Sequence, residues 1–495
     1  MTTILVSISA KNIHKPPAVW QLKAYCESKG QEGIAVMEYN VNQDIGKIAE
    51  SLCKLRPDIV GFSCYIWNIR IVEKLAGMIR VRFSGVFIVL GGPEVSYSPG
   101  GEYPFADRVI SGAGERAFYE LLMEFKSLPV SITENSYPAF AELPTPYTEG
   151  YFSSFKDEQI SDISHRLIYY ESSRGCPFSC AYCLSSADEE VQYLPLERVK
   201  NELGLLINRG ALCIKFTDRT FNADKARALA ILKFIKDLDT RAVFHFEAAA
   251  DLFDGDYFAL LRQMPKGRVQ LEIGIQSVNE KTLLAVSRKA DTARALANIT
   301  GLSRLETCRV HVDLIAGLPH ETLETFARAI DACIYAKSGI LQLGFLKLLK
   351  GTRLRTGAES FGTDFSDSPP YEVLNTDTMS REDFLLLKRL ERIINKFYNG
   401  GIFQSAIAYG IDLYGSPYTF FSGLAQFMED KGLTVHPLKT CYTALLDFLS
   451  LRGDRICVSE LIKQDCLSYD RRSLPDSLRK PYSGKPSLKS RRKFS

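Results

Sequence analysis

Short apolar, β-branched runs alternate with helical patterns along two separate stretches of this chain. That alternation restricts the fold more than any other feature, because it calls for parallel strands with both faces covered by helices. In the first stretch ILVSIS (Ile4–Ser9) precedes a helix over Ala18–Lys29 that stops at Gly30, and Ile34–Glu38 precedes a helix over Asp44–Leu55. DIVGFSCY after Pro57, a helix over Arg70–Phe83, VFIVLGG (Val86–Gly92), ADRVISG (Ala106–Gly112) and a helix through Glu115–Lys126 continue the pattern. Glycine-bearing turns follow the strands in GFSCYIWN, GGPEVS and SGAGE. They fall at the carboxyl edge of the sheet, where open α/β sheets bind ligands.

From Arg166 the alternation resumes, with RLIYYES, CIKFTD, VFHFEAA, VQLEIGI, RVHVDLI and LQLGFLKLL as strands. Helices such as Leu196–Asn208 and Ala223–Leu238 lie between them. Units of this size, repeated six times, predict a partial, TIM-like β/α barrel. After Ser368-Pro369-Pro370 helical patterns dominate, led by an amphipathic stretch over Arg381–Tyr398. The predicted fold class is α/β: an N-terminal doubly wound parallel sheet, a central partial barrel and a mainly helical C-terminal domain. The predicted division is 1–130 for the first sheet, 131–163 for a proline-bearing linker, 164–360 for the barrel and 368–470 for the helical domain, with a basic, disordered tail over 471–495.

Hydrophobic residues make up 46% and charged residues 24% of the chain, the balance of a soluble globular protein. No apolar run approaches the roughly 18 residues that span a bilayer. The N-terminus has no basic region ahead of its apolar stretch and reads as a first strand, so a cytoplasmic protein without a membrane partner is expected. From Asp470 to Ser495 nine Lys and Arg face two Asp, which leaves the rest at a net −4. The tail lacks the interleaved aromatics of a base-stacking surface, and nucleic acid is not the favoured partner.

Most of the twelve cysteines stand singly, and those in apolar segments read as small buried hydrophobes. GCPFSCAYC is different. Cys176, Cys180 and Cys183 share one short loop directly after the strand LIYYES. Three thiolates can hold three irons of a [4Fe–4S] cube and leave the fourth iron open. An open coordination position marks catalysis over a purely structural role. A zinc site would want a fourth Cys or His at similar spacing, and His165 lies before the strand.

The loop resembles the signature of the radical S-adenosylmethionine (SAM) superfamily, CxxxCxxC with an aromatic residue, here Tyr182, before the last cysteine. The resemblance continues through FTDRTFNAD, FHFEAAADL, LEIGIQSVNEKTL and VDLIAGLPHET. It implies that SAM chelates the open iron and is cleaved by one electron to methionine and a 5′-deoxyadenosyl radical. It further implies that Tyr182 contacts the adenine and Asp218 the methionine amino group. Glu247 is implied as an inward polar group, Gln276 and Ser277 as ribose contacts, and the backbone from Ile315 to Gly317 as an adenine neighbour. Arg219 stands where many relatives carry a second acid.

A doubly wound domain ahead of such a barrel resembles the cobalamin (B12)-binding branch of the superfamily. The resemblance implies that Cys64, Gly91, Gly92, Gly112 and Glu115, in the carboxyl-edge loops, contact a corrin. Some cobalamin proteins carry DxHxxG after the first strand; here Asn12 and Pro17 replace its Asp and Gly around His14, which argues against a histidine–cobalt bond. The region from Ser368 resembles an uncharacterised C-terminal domain found in some of these proteins, which would supply a substrate pocket or cap the barrel. The implied activity is a cobalamin-dependent modification of an unactivated carbon, by methyl transfer, on an unidentified substrate and with an electron donor such as flavodoxin or ferredoxin. A non-methylating rearrangement, cyclisation or oxidation is the alternative, and a non-catalytic iron–sulfur sensor or RNA-binding protein the second.

Overall fold

A computed structural model describes residues 1–98, 101–127, 139–155, 162–187, 190–435, 437–469 and 478. The expected basic tail, Leu478 apart, lies outside these residues, as do 131–138 and 156–161 of the linker.

The first unit comprises β1 (Thr3–Ser9), the two-residue β2 (His14–Lys15), α1 (Ala18–Ser28), β3 (Ile34–Asn40), α2 (Ile45–Lys54), β4 (Ile59–Ser63), α3 (Ile69–Arg82), β5 (Phe87–Gly91), β6 (Arg108–Ile110) and α4 (Glu115–Phe125). Five of its strands form a parallel sheet in the order β3-β1-β4-β5-β6. The switch in direction falls at β1, where Thr3 pairs with both Ile34 and Ile59. Every residue of β1 is buried. Ile4, Val6 and Ile8 pack with residues of α2 and α3, while Leu5 joins the cluster that includes α1 and α4. Burial on both faces is what a continuous apolar run in a parallel sheet predicts, and each such side chain contributes about 1.5–3 kcal/mol.

After α5 (Glu149–Ser153) the central unit begins with β7 (Leu167–Tyr170), followed by an antiparallel ribbon of β8 (Ser173–Arg174) and β9 (Gln192–Tyr193). Parallel strands β10 (Cys213–Phe216), β11 (Val243–Glu247), β12 (Val269–Gln276), β13 (Cys308–Ala316) and β14 (Ile340–Phe345) then alternate with α6 (Leu196–Asn208), α7 (Lys225–Asp237), α8 (Gly255–Leu261), α9 (Glu280–Ala285), α10 (Thr292–Ser303) and α11 (Leu323–Tyr335). The sheet runs β14-β13-β12-β11-β10-β7-β2, a partial barrel whose last place is taken by a strand from the first unit. His14 pairs with Leu167 and Lys15 with Ile168. In β12 and β13 buried Val, Leu and Ile alternate with half-buried polar residues, so one face meets helices and the other lines the lumen.

The described residues that follow β14 are mainly helical: α12 (Arg353–Thr356), α13 (Arg381–Ile393), α14 (Gln404–Tyr414), α15 (Pro417–Asp430), α16 (Leu438–Leu449) and α17 (Arg455–Tyr469). Ser380 and Asp383 form a capping box at the start of α13, which passes into a π-helical turn at Ile394–Tyr398. The aromatic run at 414–421 is largely core: Phe420 and Phe421 are fully buried. Phe384 of α13 fills the space that a side chain on Gly317 would need, which seats this domain against the end of β13. Among the described residues no helix is long and apolar enough to cross a membrane.

Candidate active site

The loop after β7 is built before it reaches its cysteines. Ser172 donates to Asp218 through its backbone N–H (2.7 Å) and its hydroxyl (2.6 Å), and Ser173 N–H adds a third bond at 3.1 Å. Asp218 is buried, and both of its oxygens are engaged. It therefore holds the entry to the cluster loop. Gly175 follows with φ +97°, and a Cβ there would lie 2.5 Å from the Glu190 carbonyl, so only glycine fits this turn.

None of Cys176, Cys180 and Cys183 is in a disulfide. Cys176 Sγ lies 3.6 Å from Thr220 Oγ1. The loop is pinned at Ala181, whose N–H donates to Val286 O and whose carbonyl accepts from Leu354 N–H, both at 2.9 Å. Arg353 adds a bond to the Ser179 carbonyl. Among the described residues no three His, Cys, Asp or Glu close on a single ion. A cube binds each thiolate to a different iron and needs no such convergence. Three soft thiols on one fixed loop fit that cluster.

Arg288, which the sequence reading missed, lies beside them. Its Nη1 is 3.6 Å from Cys180 Sγ and 3.3 Å from the Tyr182 hydroxyl, and its Nη2 donates to the Gly274 carbonyl. It places a cation between a cluster thiol and the aromatic residue. The only signal in the sequence was a basic pair after α9.

The lumen carries charge. Lys215 pairs with Glu272 at 2.8 Å and Glu247 at 3.8 Å, and His245 Nε2 lies 2.9 Å from Glu272. Burial alone would push the Glu272 carboxyl up, but the His245 hydrogen bond and the Lys215 charge bring it to about 2. Burial pushes Glu247 up. Asp313 on β13 is pushed up to about 7, by burial first and then by the charges of Glu272 and Glu247. Its Oδ1 is buried without a partner, and so is Gln276 Oε1 at the end of β12. Gln276 sits at φ +68° on a bulge that shifts the β12–β13 register beyond the Gly274–Asp313 pair. Ser277, expected to share Gln276's role, is fully buried and accepts from Asn279 N–H at 2.9 Å. Ile315 lines the same half-buried face as Asp313. Asp313 was another residue missed by the sequence reading, though its place in the VDLIAG alternation was visible.

The carboxyl-edge loops of the first sheet face this mouth. Gly92 has φ +111°, and a Cβ there would meet the Cys64 carbonyl at 2.6 Å, so the loops after β4 and β5 touch backbone to backbone. Gly91 accepts from Cys64 N–H at 2.7 Å. The Cys64 thiol is fully buried, bonds to Phe62 O at 3.6 Å and is pushed up by burial, so this side chain packs in the core. Gly112 has open space where a side chain would stand. Tyr65 and Trp67 stack with ring centroids 4.3 Å apart, and Trp67 is 47% exposed. The buried Glu115 carboxylate accepts from Arg174 of β8 at 3.1 Å. His14 turns toward the barrel, with Nδ1 2.7 Å from the Tyr169 hydroxyl. The exposed Trp67, the open edge at Gly112 and a histidine directed elsewhere fit a corrin held without a histidine ligand.

Three family models match consecutive parts of the chain: the B12 binding domain over residues 3–122, the radical SAM superfamily over 170–333, and a protein of unknown function, DUF4080, over 359–492. Similar proteins include 2-(S-pantetheinyl)-carbapenam-3-carboxylate methyltransferase of Streptantibioticus cattleyicolor, 25% identical over 77% of this chain and 62% of that one. The cobalamin-dependent radical SAM methyltransferase TokK of Streptomyces tokunonensis is 24% identical over 77% and 63%. The chain thus spans about three fifths of the length of these relatives. Among solved structures, OxsB, a cobalamin-dependent SAM radical enzyme, aligns over 96% of this chain and 82% of its own at TM-score 0.64 and 13% identity. The methyltransferase TsrM of Kitasatospora setae aligns over 74% and 79% at TM-score 0.56 and 17% identity. Both share the fold.

Proposed function

We propose, from the premise that this chain is a member of the radical SAM superfamily with an N-terminal B12 binding domain and a DUF4080 region, that it is an enzyme methylating an unactivated carbon. The observation that carries the reading is the meeting of two carboxyl edges. The thiols of Cys176, Cys180 and Cys183 lie at one, the glycine turns and Trp67 at the other, and Glu115–Arg174 joins them. When bound, the [4Fe–4S] cluster supplies the electron that cleaves SAM, and the cobalamin carries the transferable methyl group.

The chain's own residues supply position and electrostatics. The three cysteines hold the cluster, and the Arg288 cation stands where it can balance a thiolate or receive the SAM carboxylate. Asp313 Oδ1 and Gln276 Oε1 are unpartnered buried acceptors on adjacent strands, suited to the two hydroxyls of a ribose. Tyr182 offers a ring beside Cys183. Phe384 and its neighbours close the end of β13 and keep water from a reactive intermediate.

The substrate is a small molecule or a group that enters between the two edges, the donor is a flavodoxin or ferredoxin, and the enzyme works in the cytoplasm. Anaerobic reconstitution with iron, sulfide and cobalamin, followed by turnover with SAM and reductant, tests the reading. S-adenosylhomocysteine and 5′-deoxyadenosine are expected together. Deoxyadenosine alone would move the assignment to a non-methylating rearrangement, cyclisation or oxidation, and neither product would leave a non-catalytic iron–sulfur or RNA-binding role.

A further inference from the structure

Two buried carboxylates of the first domain are committed to cations of the barrel, and both cations belong to segments that hold the cluster loop. Glu115, which opens α4 after the β6 loop, is 6% exposed and bonds to Arg174, two residues before Cys176. Arg174 also grips Glu171 at 2.8 and 3.1 Å, and its guanidinium lies 4.7 Å over the Phe140 ring from the linker. Glu94, in the loop after β5, is 3% exposed; it accepts from the Tyr371 hydroxyl and lies 3.4 Å from Lys350 Nζ. Lys350 further binds Glu102 and, at 2.9 Å, the Tyr103 hydroxyl. The next residues, Gly351 to Leu354, lead straight to the cluster loop, where Arg353 and Leu354 donate to the Ser179 and Ala181 carbonyls.

We infer that Glu94–Lys350 and Glu115–Arg174 are positioning pairs that set the corrin-domain loops against the cluster loop, so that SAM cleavage stays coupled to methyl transfer. The inference rests on the functional reading above. Its physical basis is cost and rigidity. A buried carboxylate left without its cation is strongly penalised, so each pair has few alternative arrangements. Two such pairs, on successive loops of one sheet edge, remove the hinge and sliding motions that a single contact would permit. Lys350 and Arg174 then transmit position directly, because the chain on either side of them is hydrogen-bonded to or continuous with the loop that carries the cysteines. None of the four residues contacts a reacting atom, and they are positioning residues in that sense.

The first test uses full-length protein without cofactors. Glu94→Gln keeps an acceptor for Tyr371 and removes the charge that faces Lys350. Backbone hydrogen exchange in a peptide covering residues 176–183 is expected to rise on the order of tenfold, although Glu94 lies in the other domain. A change confined to the 92–98 loop overturns the inference. The second test uses reconstituted enzyme. In Glu115→Gln the ratio of 5′-deoxyadenosine to S-adenosylhomocysteine is expected to rise by about tenfold, the scale of a small misplacement between reacting groups, and Arg174→Lys to fall between that variant and wild type. This ratio is independent of how much protein has folded, so a merely destabilised variant leaves it unmoved; an unchanged ratio overturns the role. A wild-type enzyme that makes no S-adenosylhomocysteine defeats the functional reading itself, and the exchange experiment still decides whether the pairs couple the two loops.

Discussion

The two parallel sheets of this protein use opposite surfaces to present chemistry. In the first, β1 is buried along its whole length and helices take up both faces, which leaves only the loops at its edge free for a ligand. In the barrel, β12 and β13 bury every second residue and turn the others inward, so Glu272, Gln276 and Asp313 reach the lumen from strands. The first sheet therefore offers a ligand backbone and glycine, and the second offers side chains. Substitutions should sort accordingly: glycines matter in one, polar side chains in the other.

The comparison breaks most visibly at the cysteines. Cys180→Ala is expected to abolish both 5′-deoxyadenosine formation and the iron–sulfur absorption band, while cobalamin still binds the other domain in a spectroscopic titration. Next in size is Gly92→Ala, which forces a Cβ to within 2.6 Å of the Cys64 carbonyl at a φ of +111°. A strain of about 1–3 kcal/mol is expected to lower the thermal midpoint and weaken cobalamin binding, with SAM cleavage retained. Gln276→Ala should raise the KM for SAM by about tenfold, the worth of one hydrogen bond in a buried site, and leave cobalamin affinity unchanged.

A smaller effect follows from Asp313, whose folded-state pKa of about 7 lies above that of an unfolded aspartate. The folded state holds this proton more tightly, so its contribution to stability is complete below about pH 4 and is lost as pH rises through 7. Asp313→Asn should raise the thermal midpoint of the unloaded protein at pH 8 more than at pH 5, and equal shifts would refute the assignment. The smallest change is expected for Cys64→Ser: with the thiol inside the core, stability should fall slightly and cobalamin affinity stay within about twofold.

Much of this arrangement was legible because it is written in local periodicity. The apolar run ILVSIS and the alternation in VQLEIGI and RVHVDLI distinguish a sheet covered on two faces from one with an inner wall. The cysteine loop was legible from spacing alone. What was hidden is the direction in which a polar side chain turns. Asp218 sits where the motif places an acid, but Ser172 and Ser173, whose approach depends on the fold of the preceding loop, take both of its oxygens. Glu115 and Arg174 are 59 residues apart, and no pattern in either segment announces the partner. Arg288 meets Cys180 across 108 residues for the same reason.

The short strand β2 carries a consequence for how the protein is made and how it could have arisen. The chain leaves the first sheet after β1, lends two residues to the edge of the barrel beside β7, and returns to finish the first sheet. A ribosome that has released the chain through α4 has thus released the first sheet with β2 still waiting for Leu167 and Ile168. Cutting in the linker would leave β2 without its neighbour β7, so the first unit made alone is expected to lack that pairing. Recombination that exchanged this domain between relatives would need a barrel edge that accepts β2.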